Sequence, residues 1–307
     1  MTRWIRILVI GALVLAAVVL AATTERFVTW ENARAILSAS AGIGIVALGA
    51  SYITIVGSLG SLATSQSVSL LAMIFIAAQA WGLPAAILIA VAAGALLGAL
   101  QGFAIGAWAA NPIVLTVAIG FALVGISTWL TGGRIVAPTG PGFDALNATP
   151  LGLPLAIYVL LALGVVNELI MRLTTVGRQV PLVGENRRAA RAAGLPVTRV
   201  TVFAWTMFGV MSGVGAAFLG AFNRQANISL AGNLTFDVIA AVLVGGIAIA
   251  GGRGSAIGAL LGAVAISAIT NLLLLRGFDT GAQLLVKGLL VVVIVVLLQL
   301  RTREVTR

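Results

Sequence analysis

The sequence contains no cysteine and no histidine, and its 307 residues include a single lysine, Lys287. Without Cys and His there is no thiol nucleophile, no disulfide and no Cys/His metal site. The Ser-His-Asp triad and the commonest general base go with them. Lys287 is followed by Gly288 and Leu289, so the Gly-Lys-Ser/Thr of a phosphate-binding loop is missing too. Charge of either sign is scarce. Asp, Glu, Lys and Arg make up 8% of the chain, against about 25% in soluble domains. That is too little to solvate a globular surface. A soluble enzyme, a disordered tail and a fibrous protein are therefore excluded together.

What is present is apolar: 61% of residues are hydrophobic. From Ala35 to Gly133 no Asp, Glu, Lys or Arg occurs, enough chain for four crossings at about 20 residues each. The runs are long and lack period-two alternation, so helices are expected rather than a barrel. We read a single transmembrane domain over 1–307, all-α and polytopic, with about ten spans: 4–22, 35–56, 61–80, 84–106, 113–132, 154–171, 200–221, 236–250, 255–275 and 282–299. A signal-peptide reading of the N-terminal run would leave nine and break the even count.

Charge sets the expected orientation. Ten spans put both termini on one side, with the loop from Arg172 to Arg199, and that side then holds twelve of the 18 basic residues. By the positive-inside rule it is cytoplasmic. The net charge of +10 thus reflects membrane topology and membrane lipid, not nucleic acid, for which no solvated basic face exists. Trp4, Trp30, Trp81, Trp108 and Trp129 fall near span ends, as interfacial anchors do. Gly94, Gly98, Gly102 and Gly106 recur every four residues, as do Gly254, Gly258 and Gly262. Such rows let membrane helices approach closely.

Three ionisable residues fall in or beside spans. Glu168 precedes Arg172 by four residues, the spacing of a helical ion pair. Lys287, about a turn inside a span end, can snorkel. Asp237 opens a span, where a carboxylate suits the helix N-terminus. With all three explained structurally, no buried carboxylate relay for ion coupling stands out. A cluster of small polar residues is odder: Thr54, Ser58, Ser61, Thr64 and Gln66, with Ser65, Ser67 and Ser69, surround Gly57 and Gly60. A broken helix rich in hydroxyls and amides suits an uncharged polyol; a plain turn with hydroxyls bonded to the preceding helix is the structural alternative. With this cluster we group Asn111, Thr116, Asp237 and Asn271 as candidates for a substrate pathway.

The Arg172–Arg199 loop carries Gly184, Glu185, Asn186, Arg187, Arg188, Ala189, Ala190, Arg191 and Gly194 in one run. Glu185 or Asn186 can open a helix, the alanines extend it, and Gly194 with Pro196 stops it. A helix over Glu185–Ala193 is expected to seat its alanine face on a partner, with Arg187 a solvated rim charge. Lying on lipid headgroups is the alternative.

These residues resemble a known family. Asn111-Pro112-Ile113-Val114-Leu115-Thr116, Leu130-Thr131-Gly132-Gly133-Arg134, the loop Gly177-Arg178 through Gly184-x-Asn186 and Ala189-Ala190-Arg191-x-x-Gly194, and Asp237-x-Ile239-Ala240-Ala241-Val242-x-x-Gly245-Gly246 with Ala250-Gly251-Gly252-Arg253-Gly254 are similar to the permease subunits of ribose/monosaccharide-type bacterial ABC importers, a family that includes autoinducer-2 permeases. The resemblance covers roughly Ile36 to Leu298. It implies a multi-pass inner-membrane protein that is not itself an enzyme and holds no cofactor. Its implied partners are a separate ABC ATPase on the Gly184–Gly194 loop, a periplasmic sugar-binding protein, and a second permease, identical or not. Transport of a monosaccharide or small polyol is the implied function. A branched-chain amino acid or nucleoside permease, or an ion-coupled carrier or channel, is the alternative. Three positions depart from the family's pattern. Gly57-Ser58-Leu59-Gly60-Ser61 stands for the usual Gly-Gly-Ile-Asp-Leu-Ser, Leu234-Thr235-Phe236-Asp237 for Tyr-Glu-Leu-Asp, and Arg188 for a common glutamate. Such losses fit a divergent member, or one half of a heterodimer.

Overall fold

A computed structural model describes residues 22–138 and 143–305. The expected first span, 4–22, and both chain termini lie outside the residues described.

Among the described residues twelve α-helices follow one another: α1 (Trp30–Ile55), α2 (Thr64–Ala77), α3 (Leu83–Ala107), α4 (Pro112–Thr131), α5 (Phe143–Leu146), α6 (Leu155–Leu173), α7 (Thr175–Glu185), α8 (Arg187–Ala192), α9 (Val197–Asn223), α10 (Leu234–Val244), α11 (Ala256–Leu275) and α12 (Thr280–Val305). A 3-10 turn over Ala78–Trp81 prolongs α2. Seven of the helical segments among the described residues are long and apolar enough to cross a membrane. The protein is an all-α, multi-pass membrane protein, as its composition requires.

α1 is the central post. Its C-terminal half, from Gly44 to Ile55, is buried throughout, and α6, α9, α10 and α11 all pack around it. The largest interface joins α3 to α9. It is a glycine seam: a methyl group at Gly94 would overlap the Gly209 carbonyl oxygen, and one at Gly98 the Trp205 carbonyl oxygen. Lipid offers helices no hydrophobic reason to associate, so contact must come from close backbone approach. The second expected row is shorter than its spacing suggests. Gly258 and Gly262 do meet α10, at Gly245 and Ala241, but Gly254 lies before α11 and packs on Ile247 and Ile55 instead.

Trp30, Trp81, Trp108 and Trp129 are all exposed at helix ends. The loops gather at two opposite faces. On one face, the Thr198 hydroxyl donates to the Gly106 carbonyl at 3.0 Å and the Gly252 N–H to the Ile55 carbonyl at 2.8 Å. On the other, Val136 and Ala226 pair as an isolated bridge, Arg224 meets Asp144 at 2.9 Å, and Arg276 donates to Thr24 at 2.7 Å.

The eighth span departs from expectation. The helix runs over Leu234–Val244 rather than 236–250, 11 residues, about 16 Å and half a membrane. It stops because Gly245 lies against the Gly258 carbonyl, where only glycine fits, and Gly246 takes a left-handed φ of 79°. Its start is sunk into the protein. After Ala226 the chain descends along α2, where the Ala231 N–H donates to Ser69 and the Thr235 and Ser65 hydroxyls meet at 2.9 Å. Ser65 lies 16 residues from Trp81, about 24 Å of helix. A crossing that is only half helical is tolerated at membrane depth only where protein surrounds it.

Candidate functional site

The broken region after α1 builds a narrow crevice. It is lined by Ala50 and Thr54 of α1, Leu59, Gly60 and Ser61 of the turn, Thr64 of α2, and Val238, Ile239, Val242 and Leu243 of α10. Gly57 and Gly60 have φ of 93° and 123°, backbone states that glycine adopts without penalty. They release the chain from α1 and let α2 start beside α10. The lining is hydroxyl and aliphatic, with no charged side chain.

Thr54, Ser61 and Thr64, three of the expected pathway residues, line this crevice together. Thr54 donates to the Ala50 carbonyl at 3.0 Å and Thr64 to the Ser61 carbonyl at 2.6 Å, so each uses its one donor and keeps its oxygen open as an acceptor. Ser58 shares the turn. The hydroxyls of Ser58 and Ser61 and the amide oxygen of Gln66 are buried without a protein partner. Buried polar atoms without partners are uncommon and point to a water or ligand. Thr116 borders the same turn from α4, accepting from the Leu62 N–H at 3.2 Å. Ser65 and Ser69, by contrast, act as structural ties for the non-helical chain that leads into α10.

Three other candidates sit apart from the lining. Asn111 is exposed and caps α4, accepting from the Ile113 N–H at 2.9 Å. Asn271 lies on α11, half-buried, with an unpartnered amide oxygen. Asp237 is next to the crevice residue Val238, but its carboxylate is taken up by Lys287 at 2.7 Å. The two side chains are 16% and 9% exposed. Lys287 therefore does not snorkel, and Asp237 does not start a helix at the membrane boundary. Because Gly245 faces Gly258 and Ala241 faces Gly262, antiparallel packing sets Asp237 level with Ile266, midway along α11. A charge at that depth must pair. Sequence spacing gave no sign of this pair, since 50 residues separate its members.

The expected loop helix is two helices. α7 was missed because Gly177 and Pro181 are poor helix formers. The Thr174 hydroxyl caps it by accepting from Gly177 at 2.9 Å, and Gly177, Val180 and Val183 form its buried face. α8 covers Arg187–Ala192 rather than Glu185–Ala193. The Asn186 side chain caps it, accepting from the Arg188 and Ala189 N–H groups at 3.0 Å. Gly194 ends it at a φ of 78°, with the Leu195 N–H returned to the Ala190 carbonyl; that is the glycine stop read from the sequence. Two side chains differ from expectation. Ala190 is buried in the protein itself, leaving Ala189 and Ala192 outward. Arg187 is half-buried, donates to the Thr201 hydroxyl at 3.0 Å and is not a rim charge. Burial, and then the Arg191 charge, push its pKa below the ordinary guanidinium value.

The Glu168–Arg172 pair is present at 2.5 Å, and the carboxylate does more. Its second oxygen accepts from the Ala256 and Ile257 N–H groups at 3.0 and 3.3 Å, satisfying the open first turn of α11. Gly184 and Glu185 meet the α10–α11 connection. A methyl at Gly184 would overlap the Ile55 carbonyl oxygen, and Glu185 lies 3.8 Å from Arg253. Among the described residues no cluster of three Asp, Glu, His or Cys could hold a metal ion.

Comparison with known proteins agrees with this architecture. The family described as branched-chain amino acid transport system permease component matches residues 32–296. A probable ABC transporter permease of Sinorhizobium fredii is 31% identical over 94% of this chain and 87% of its own. A ribose import permease of Escherichia coli is 26% identical over 93% and 91%. An autoinducer 2 import system permease of Photorhabdus luminescens is 29% identical over 83% and 79%. No solved structure matches. The chain belongs to this family, and it is an ABC importer permease.

Proposed function

We propose that this permease carries a monosaccharide or similar small uncharged polyol across the bacterial inner membrane, driven by ATP hydrolysis in a separate subunit. The observation that carries this reading is the crevice lining: three hydroxyl side chains, backbone and aliphatic groups, with no formal charge. A sugar hydroxyl both donates and accepts, and matches Thr54, Ser61 and Thr64. An amino acid would bring a carboxylate and an ammonium into a site with nothing to pair them, which is costly away from water. The ribose and autoinducer 2 permeases among the relatives point the same way.

In this reading α7 and α8 form the cytoplasmic docking element for the ATPase, through Leu182, Arg188, Ala189, Arg191 and Ala192, all exposed. A second permease closes the crevice, which in the single chain is flanked by the exposed Leu59 and Phe236. A periplasmic binding protein delivers the substrate. The loss of an acidic residue from the family pattern at Gly60 and at Thr235 favours a non-identical second permease.

The test is reconstitution with the ATPase and binding protein encoded beside the gene. Calorimetry on the binding protein should identify a neutral sugar or polyol, and uptake of that compound should require ATP and resist a protonophore. An amino acid ligand would overturn the substrate assignment, and protonophore-sensitive, ATP-independent uptake the mechanism. For orientation, the absence of native cysteine makes single-cysteine labelling clean. Ala145→Cys should react with an impermeant reagent in intact cells and Ala192→Cys should not; the reverse pattern would invert the topology.

A further inference from the structure

The docking element is fastened at both ends to the same short stretch of chain, residues 251–257. At its root, just before α7, Glu168 is buried and bonds the Ala256 and Ile257 N–H groups. The carbonyl of the preceding Asn167 accepts from the buried Tyr52 hydroxyl of α1 at 3.0 Å. At the far end of α7, Gly184 leaves no room for a methyl group beside the Ile55 carbonyl and the Gly252 N–H, which are bonded to each other at 2.8 Å. Gly251 packs directly against the Gly57 backbone. Four glycines, Gly57, Gly184, Gly251 and Gly252, therefore bring three chain segments together backbone to backbone. Such a junction has no flexible side chain to absorb displacement.

The two segments that meet α7 here lead directly to the two walls of the crevice. Gly57 continues into Leu59, Gly60 and Ser61. Residues 251–257 follow from α10, which supplies Val238, Ile239, Val242 and Leu243. The link is firm on that side as well: Ile247 is fully buried and the Ala248 N–H bonds the Arg253 carbonyl at 2.9 Å.

We infer that residues 251–257 are the coupling element of this permease, and that Glu168 is the positioning residue that ties it to the docking helices. Movement of α7 and α8 is passed to α10 and to the end of α1 as one body, so the crevice changes when the ATPase does. The inference rests on the proposed assignment of α7 and α8 as the docking element.

The experiment uses the assembled complex and a reporter that needs no transported compound. Leu59→Cys is introduced as the sole cysteine, and its maleimide reactivity is measured without nucleotide and after trapping with ATP and vanadate. Failure of the ATPase to co-purify, or reactivity that ignores nucleotide in this background, would overturn the docking reading itself. Given that response, Glu168→Ala removes both hydrogen bonds to α11 and should cut the nucleotide-dependent change by about tenfold, the scale expected for losing charge-assisted bonds. ATP hydrolysis should continue, because the exposed docking surface is intact. Glu168→Gln keeps an acceptor for the Ala256 N–H and should restore most of the response. A purely structural cap would lower assembly and hydrolysis instead, leaving the response per assembled complex unchanged, and that result would refute the inference. A second measurement does not depend on any Glu168 variant folding. Glu185→Cys and Arg253→Cys, joined by a short bismaleimide, tether the two segments at their observed contact. If they move as one body, nucleotide-stimulated hydrolysis survives the tether; loss of hydrolysis on tethering would show that they separate, and the inference would fall.

Discussion

Lys287→Met should destabilise this protein more than its isolated position suggests. The substitution keeps the volume and the unbranched stem and removes only the charge. It leaves the Asp237 carboxylate unpaired, 16% exposed and level with the middle of α11. Removing one member of a buried ion pair costs about 3–5 kcal/mol, and a charge at mid-membrane about 2.5–3.5 kcal/mol on insertion scales. We expect a loss of about 3 kcal/mol, near a hundredfold in the folded fraction. The gain from the intact pair is a different quantity. Both charges were desolvated to make it, and apolar replacement of such pairs is often neutral or better. Asp237→Asn with Lys287→Met should therefore recover most of what either single change loses.

The assay is SDS unfolding of the purified protein in mixed micelles, read for the wild type, both single variants and the double. The double-mutant cycle should give a coupling of about 2 kcal/mol or more. Additive losses would mean that the two charges do not interact, and would refute the placement of Asp237 beside Lys287. Full stability of Lys287→Met would refute the depth assigned to α10.

The remaining expectations concern packing and the docking helices. Gly98→Ala drives a methyl group into the Trp205 carbonyl oxygen, and so should lower thermal stability in detergent and the yield of folded protein; Gly125→Ala, with nothing within 4 Å, should gain up to about 1 kcal/mol of helix propensity, and equal behaviour of the two would argue against the α3–α9 seam. Ala190→Leu overfills the permease's own core and should cost about 1–3 kcal/mol. Ala189→Trp should leave stability unchanged and abolish co-purification of the ATPase, and an intact complex with Ala189→Trp would remove the docking assignment. Arg187→Gln takes away a half-buried cation whose Nε lacks a partner and should be neutral or stabilising by melting temperature; a large loss would mean that the arginine is paired in the assembled complex.

Much of this architecture was legible because the membrane allows few solutions. The apolar runs, the Trp positions and the arginine asymmetry place α1 to α4, α6, α9 and α11 to within a few residues, since each is a whole crossing that must satisfy its own backbone. The Glu168–Arg172 pair was legible for a related reason: a four-residue spacing on a helix is a distance. What escaped is whatever depends on two distant parts of the chain meeting. Nothing local says that Lys287 reaches Asp237, or that the second oxygen of Glu168 caps α11. The run from 236 to 250 has the hydropathy of a crossing, and only its contact with α11 shows why Gly245 and Gly246 must end the helix. The alanine row of the docking loop carried the same ambiguity, because a small apolar side chain is equally suited to a partner's groove and to the protein's own interior. Tertiary packing resolves it differently at adjacent positions, Ala189 outward and Ala190 inward. The polar cluster after α1 divides in the same way. Ser65 and Ser69 hold the non-helical chain that leads into α10, while Ser58, Ser61 and Gln66 keep unpartnered atoms beside Thr54 and Thr64. A stretch of hydroxyls in an apolar sequence thus marks a place where the backbone leaves the regular helix; which of them remain free for a ligand is decided by the segment that comes to lie against them.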